Sequence, residues 1–281
     1  MKVWSAVFTA LFGMLVFRNR FVFGTPIHEL GDSGANSIII AQAKHFELLV
    51  GNYSRQGFSH PGPAYFYVQA LGEWLFHDLL GLVPTPWNGQ ILAIYALNAA
   101  LLATVTLIIG RWTESWFTAI TCLLAVLALI SLEPKILTDA WMPFVYVPSF
   151  LLLLVAAASV AAGRSADLWA LALAGGLLVH GHASFLLFVP LIAAVAAIWL
   201  VRKHGFDRRA WAIAFGVLAV FLAPIVINTI VHWPGEFAKY FGYGSSSGAG
   251  SKSVGGSLAY VFWYWWPGIP LLGAALAAVV M

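Results

Sequence analysis

Six side chains in this sequence carry chemistry in a setting otherwise made of hydrocarbon. Asp32 lies in HELGDSGANSIII and Asp139 in KILTDAWMP, each carboxylate next to a long apolar run. His60 sits in RQGFSHPGPAYFY with Arg55 five residues before it, and His180 and His182 lie in VHGHASF. A carboxylate so placed can act as a general base, worth about 10² to 10⁴ in rate. A guanidinium and imidazoles can hold an anionic group such as a departing phosphate. Each residue also has a plain structural use. Asp32 precedes a helical pattern and suits an N-cap; Asp139 suits a solvated loop; His180 and His182 suit a turn. Pro61 and Pro63, which bracket the segment after His60, suit a chain break and the first turn of a helix. His180 and His182 are two apart, whereas two ligands on one helical face need a spacing of three or four, so HGH is no zinc motif. The chain has one cysteine, Cys122, inside an apolar run, which excludes an intramolecular disulfide. Phosphate loops and dinucleotide fingerprints are absent from the sequence.

The elements that must position these groups follow from composition. Hydrophobic residues make up 61% of the chain and charged residues 9%, against about a quarter charged in soluble domains. This is the composition of an all-α integral membrane protein. The formal net charge of +3 comes from basic residues scattered through loops, so no nucleic-acid face is implied. A bilayer core of about 30 Å needs roughly 20 apolar residues per helix. Stretches of this kind run over Val3–Phe17, Ile91–Gly110, Trp116–Leu132, Trp141–Ala162, Leu168–Val179, Phe185–Val201, Trp211–Val231 and Leu258–Met281. They predict a polytopic bundle of about eight transmembrane helices forming a single transmembrane domain, 1–281. Arg18, Asn19 and Arg20 stand where a signal peptide would have a cleavage site, so the first stretch reads as a retained short helix.

The run from Leu168 to Val201 is broken only at His180, Gly181 and His182, which predicts a tight hairpin. Arg164 before it and Arg202, Lys203, Arg208 and Arg209 after it then share one side, which the positive-inside rule makes cytoplasmic. The outer side receives the first external loop, 18–88, the loop around Asp139, a flexible Gly/Ser-rich loop, 232–257, and every histidine except His204. Two interfacial amphipathic helices are expected in the first loop. Ala35–Val50 carries an apolar stripe through Ile39, Ala43, Phe46 and Val50; Ala64–Leu80 is apolar with a polar stripe through Gln69, Glu73 and His77.

One order of elements stands out: a short first helix, an aspartate directly after it, an amphipathic helix ending in GNY at Gly51–Tyr53, and the Pro-rich turn HPGPAYFY leading into a second interfacial helix. With LTDAWMPFVYVPSFLLLL and GGLLVHGHASFLLFVPL it resembles, over roughly residues 1–205, the membrane glycosyltransferases of the C superfamily. It resembles in particular the branch that contains the protein O-mannosyltransferases and the lipid A aminoarabinose transferase. The resemblance implies transfer of a sugar from a polyprenyl-phosphate donor to an acceptor hydroxyl on a glycan, lipid or protein. The reaction would run at the extracytoplasmic face of a plasma or inner membrane. It maps the catalytic base onto Asp32 and the donor-phosphate site onto Arg55, His60, His182 and His180, with Lys44 and Lys239 in reserve. Asp139 becomes a candidate for acceptor or metal contact. Many relatives carry a lysine at the hairpin turn, where His182 stands here. Relatives differ in their need for a divalent metal, so no cofactor is assigned. They also continue for several more helices, which implies a minimal or incomplete module. The competing class is a transporter or flippase for a lipid-linked or small anionic solute, gated by Arg55 and the external histidines. It would be supported by inverted repeats, and the two halves show no such similarity. A membrane acyltransferase would need an intramembrane His and Asn pair that the sequence does not offer.

Overall fold

The structure is a computed structural model that describes residues 2–246 together with Ser253, Gly255, Gly256 and Ala259. Two compact units divide between Phe237 and Ala238; the helices below that end by Val231 belong to the first, and the division falls within the helix Gly235–Ser246. Among the described residues there is no strand beyond an isolated bridge.

α1 spans Lys2–Arg18 and is followed by a 3-10 turn, Arg20–Phe23. α2 spans Asp32–Lys44, and α3, Ala64–Gly72, runs on into a π-helical turn, Glu73–Leu79. α4 covers Pro86–Thr113, α5 Trp116–Ile130, α6 Lys135–Thr138 and α7 Met142–Ala161. α8 covers Leu168–Gly181, α9 Phe185–His204, α10 Arg208–Val231 and α11 Gly235–Ser246. Among the described residues, α4, α7, α9 and α10 are long and apolar enough to cross a membrane. By that measure the chain is an α-helical membrane protein. α1, α5 and α8 are apolar helices of 17, 15 and 14 residues. The eighth expected stretch, Leu258–Met281, lies outside the described residues.

α4 is the central helix, packed by α1, α3, α5 and α7, and α8 lies between α7 and α10. Its start is set locally: Thr85 is the N-cap, its side chain accepting from the Asn88 amide, and Pro86 takes the first turn. The helix therefore begins one turn before the apolar run at Ile91. Leu92, Ile94, Leu102 and Ile108 are buried on it, and Trp4 Nε1 donates to Thr104 Oγ1 at 3.0 Å to fix α1. α9 and α10 instead expose Leu187, Leu191, Val195, Ile213, Val220 and Ile230, the apolar outer surface of a helix facing lipid.

Three sequence expectations are corrected here. α2 stops at Lys44 and not at Val50, because the chain turns at His45 and Phe46 takes a left-handed φ of 59°. The polar stripe of the next helix faces the protein: Gln69 and Glu73 are buried where α3 and the π-helical turn meet α4. From Glu73 the helix continues as a π-helical turn, and His77 is half-buried with its Nδ1 2.8 Å from Asp78 Oδ1. Helix α11 occupies part of the loop expected at 232–257.

Candidate functional site

Asp32 opens α2, but the N-cap is Gly31, at φ 58°, so the carboxylate is not used for capping. It is 48% exposed and accepts a hydrogen bond from the Tyr53 hydroxyl at 2.8 Å, and the Arg55 guanidinium lies 3.8 Å away. Both contacts fall on Oδ1. The hydrogen bond to Asp32 holds the Tyr53 phenol above its usual range, because ionising it would set a second anion beside the carboxylate.

Tyr53 and Arg55 belong to a small hairpin that the sequence builds from GNY, a Gly57 turn and FSH. Gly51 N donates to His60 O at 2.8 Å, His60 N to Asn52 O at 2.7 Å and Ser54 N to Phe58 O at 2.8 Å. Gly57 takes φ 81° at the tip, a conformation that favours glycine. One arm of the hairpin thus holds the Asp32 partners and the other carries His60. Ser59 N donates to Glu236 at 2.7 Å, which ties the second arm to the start of α11.

His60 is 7% exposed and its ring lies 4.3 Å, centroid to centroid, from that of His182. The turn between α8 and α9 supplies both rings with partners. Ala183 N donates to His60 Nδ1 at 3.3 Å, and Ser184 N donates to His182 Nδ1 at 3.2 Å. With Nδ1 accepting, the neutral ring carries its proton on Nε2. The two Nε2–H groups are the donors of this pair. Burial, and then the neighbouring His182, push His60 down to about 4, so its ring is neutral at pH 7.

His180, two residues from His182, has a different environment. It is 2% exposed, its Nδ1 accepts from Ala64 N at 3.1 Å, and its Nε2 donates to the Phe221 carbonyl at 2.7 Å. The Phe221 carbonyl lies on α10, so this bond ties the end of α8 to α10. Both nitrogens are committed to joining α3, α8 and α10, so His180 is part of the frame and not a donor to phosphate. A Cβ on Gly51 would lie 2.7 Å from the His180 carbonyl oxygen, and one on Gly62 would overlap the His180 ring.

The remaining candidates lie elsewhere. Asp139 Oδ1 accepts from Trp141 N at 2.8 Å and shapes the turn into α7. Lys44 ends α2 and pairs with Glu73 at 2.7 Å and Asp78 at 2.5 Å. A helix rises about 1.5 Å per residue, which sets the Lys44 end of α2 well away from Asp32. Lys239 belongs to the second unit. The structure therefore brings Asp32 together with Arg55, and His60 with His182, and joins the two pairs through one hairpin. It assigns Tyr53 a role that residue type alone did not; the signal in the sequence was its place in GNY. Among the described residues no group of three His, Cys, Asp or Glu side chains converges to hold a metal ion.

Neither the protein-family models, nor the curated proteins, nor the solved structures give a match to this chain.

Proposed function

We propose that the chain is a membrane glycosyltransferase that moves a sugar from a polyprenyl-phosphate donor to an acceptor hydroxyl at the extracytoplasmic face, with Asp32 as general base. The observation that carries the reading is the hairpin 51–60: it holds Asp32 through Tyr53 and Arg55 on one arm and presents His60 against His182 on the other. A base and a set of cationic and N–H donors, held by one small rigid element, are what transfer from a phosphate leaving group requires.

In this mechanism Tyr53 and Arg55 orient the carboxylate through Oδ1, and Oδ2 takes the proton of the acceptor hydroxyl. The acceptor oxygen attacks the anomeric carbon as the bond from that carbon to the phosphate oxygen breaks. The phosphate departs with the bonding electrons and remains on its polyprenyl chain. The Nε2–H groups of His60 and His182, with Arg55, receive the charge that develops on it. Two neutral imidazoles add no repulsion before the donor arrives, and a bound phosphate would raise their basicity.

The test is turnover of a polyprenyl-phosphate sugar by the full chain in lipid vesicles. Asp32→Asn is expected to abolish transfer while leaving donor binding intact, and Tyr53→Phe to lower the rate about tenfold by loosening the base. Paired His60→Gln and His182→Gln changes should weaken donor binding. Retained turnover in the Asp32 variant would refute the assignment. Vectorial movement of the intact donor without transfer would favour the transporter class.

A further inference from the structure

A cavity of about 1190 Å³ lies within the first unit, walled by Trp4 of α1, Leu71 of α3, Leu101 of α4, Leu173 of α8 and Ile227 of α10. It is larger than the usual small-molecule pocket of about 300–1,000 Å³. Its walls are almost wholly hydrocarbon and aromatic, so water finds no partners there. α4 and α10, two of its walls, are long and apolar enough to cross a membrane, so the hydrocarbon available to fill the space is a lipid chain. The charged residue on its lining is Lys44, next to Phe46.

That edge is not cationic. Lys44 is held by both Glu73 and Asp78, Glu73 Oε2 accepts from Gln90 Nε2 at 2.8 Å, and Asp78 Oδ1 contacts His77 Nδ1 at 2.8 Å. Two carboxylates face one ammonium, and the exposed Glu47 follows three residues after Lys44. Asp78 is the most accessible of the three ion-paired side chains. An anionic head group would meet an excess of negative charge here, whereas an ammonium can share the Asp78 carboxylate. On another part of the wall His180 is bonded at both nitrogens, and Gly51 and Gly62 pack against it too closely for any side chain. Asp32, Arg55, His60 and His182 are not among the residues that line the cavity.

We infer that this cavity is a lipid site, distinct from the Asp32 site, which takes the hydrocarbon chain of an amine-bearing lipid and seats its ammonium on the Asp78 edge. The inference does not depend on transferase activity. The full chain, reconstituted in phosphatidylcholine vesicles, is titrated with phosphatidylethanolamine or phosphatidylglycerol brominated on the acyl chains. Tryptophan quenching is measured as the difference between the unaltered chain and Trp169→Phe, since Trp169 lines the cavity. At equal mole fraction the ethanolamine lipid should quench this component at least twofold more than the glycerol lipid. Asp78→Asn should erase the preference, and Ala100→Phe, which narrows the cavity, should reduce the quenching by both. Equal quenching by the two lipids in the unaltered chain would overturn the proposal, as would quenching undiminished by Ala100→Phe. Displacement of the brominated lipid by polyprenyl monophosphate but not by unlabelled phosphatidylethanolamine would also overturn it, and would leave the transferase reading standing.

Discussion

Asn88→Ala should be among the most damaging single changes in the part of the chain that positions Asp32. Asn88 is fully buried at the first turn of α4. Its Nδ2 donates to the Val22 carbonyl at 2.6 Å and to the Thr25 carbonyl at 2.9 Å, while its Oδ1 accepts from Ile27 N at 3.1 Å and from the Thr85 hydroxyl at 2.5 Å. One side chain thus fastens the segment that runs from the 3-10 turn toward Gly31 and Asp32. Alanine strands two carbonyls and an amide; Thr85 keeps its bond to the Ile27 carbonyl. Val22 is buried, so its carbonyl bears the full penalty of about 1–3 kcal/mol for an unpaired group. Thr25 is exposed and Ile27 half-buried, so water can replace their partners and each loses only the net bond, about 1 kcal/mol. The total is about 3–5 kcal/mol, or roughly 6–20 °C in Tm at the usual 2–4 °C per kcal/mol for a chain of this size. Thermal unfolding in detergent reads the first effect, and the rate of tryptic cleavage after the exposed Arg20 reads the loosening of the segment. Asn88→Asp keeps the shape but turns both donors into an anion facing two carbonyls, and it should be no milder than alanine. A Tm within 2 °C of the unaltered chain, with unchanged cleavage after Arg20, would refute the reasoning.

Protonation of His60 gives a pH signature. Its folded value of about 4 lies below the ordinary 6.5, so the unfolded chain binds more protons in that window. The stabilisation is complete above pH 6.5 and is lost as pH falls toward 4, on the order of 3 kcal/mol in all. His60→Gln should flatten the fall of Tm between those pH values, and parallel profiles would contradict the burial argument. Two glycines should respond in opposite directions. A Cβ on Gly72 would lie 2.6 Å from the Gly89 carbonyl oxygen where α3 crosses α4, so Gly72→Ala should cost about 1–3 kcal/mol. Gly13, inside α1, has nothing within 4 Å, and Gly13→Ala should raise stability by up to about 1 kcal/mol in the same unfolding assay.

Local chemistry made much of the helical framework legible. Apolar runs marked α4, α7, α9 and α10, and the short break at HGH marked the turn between α8 and α9. The caps that start three helices are local too: Thr85 with Pro86 opens α4, Ser115 caps α5, and Asp207 accepts from the amides of Arg209 and Ala210 at the start of α10. These features depend on residues within one turn of each other, and the sequence displays them directly. The end of α2 at Lys44 was less legible, because the apolar stripe continues through Phe46 to Val50 while the backbone turns.

What the linear order could not settle was which way each polar group points once helices pack. His180 and His182 are equivalent as letters in HGH, yet one helix end and two distant partners separate them. Ala64 and Phe221 claim both nitrogens of the first, while the His60 ring packs, tilted, against the second. Asp32 looked like a cap, and became a side chain held by Tyr53 and Arg55 only because the hairpin 51–60 folds back over the start of α2. Glu73 looked solvent-facing and lies buried because Lys44 and Gln90 compensate it across three elements. The sequence by itself determined where the long apolar helices form and that the chain is an α-helical membrane protein, since backbone hydrogen bonding and hydropathy are local sums. Only the tertiary structure decided which ionisable groups are used up in holding the frame and which remain open, because that depends on partners on other elements, distant along the chain.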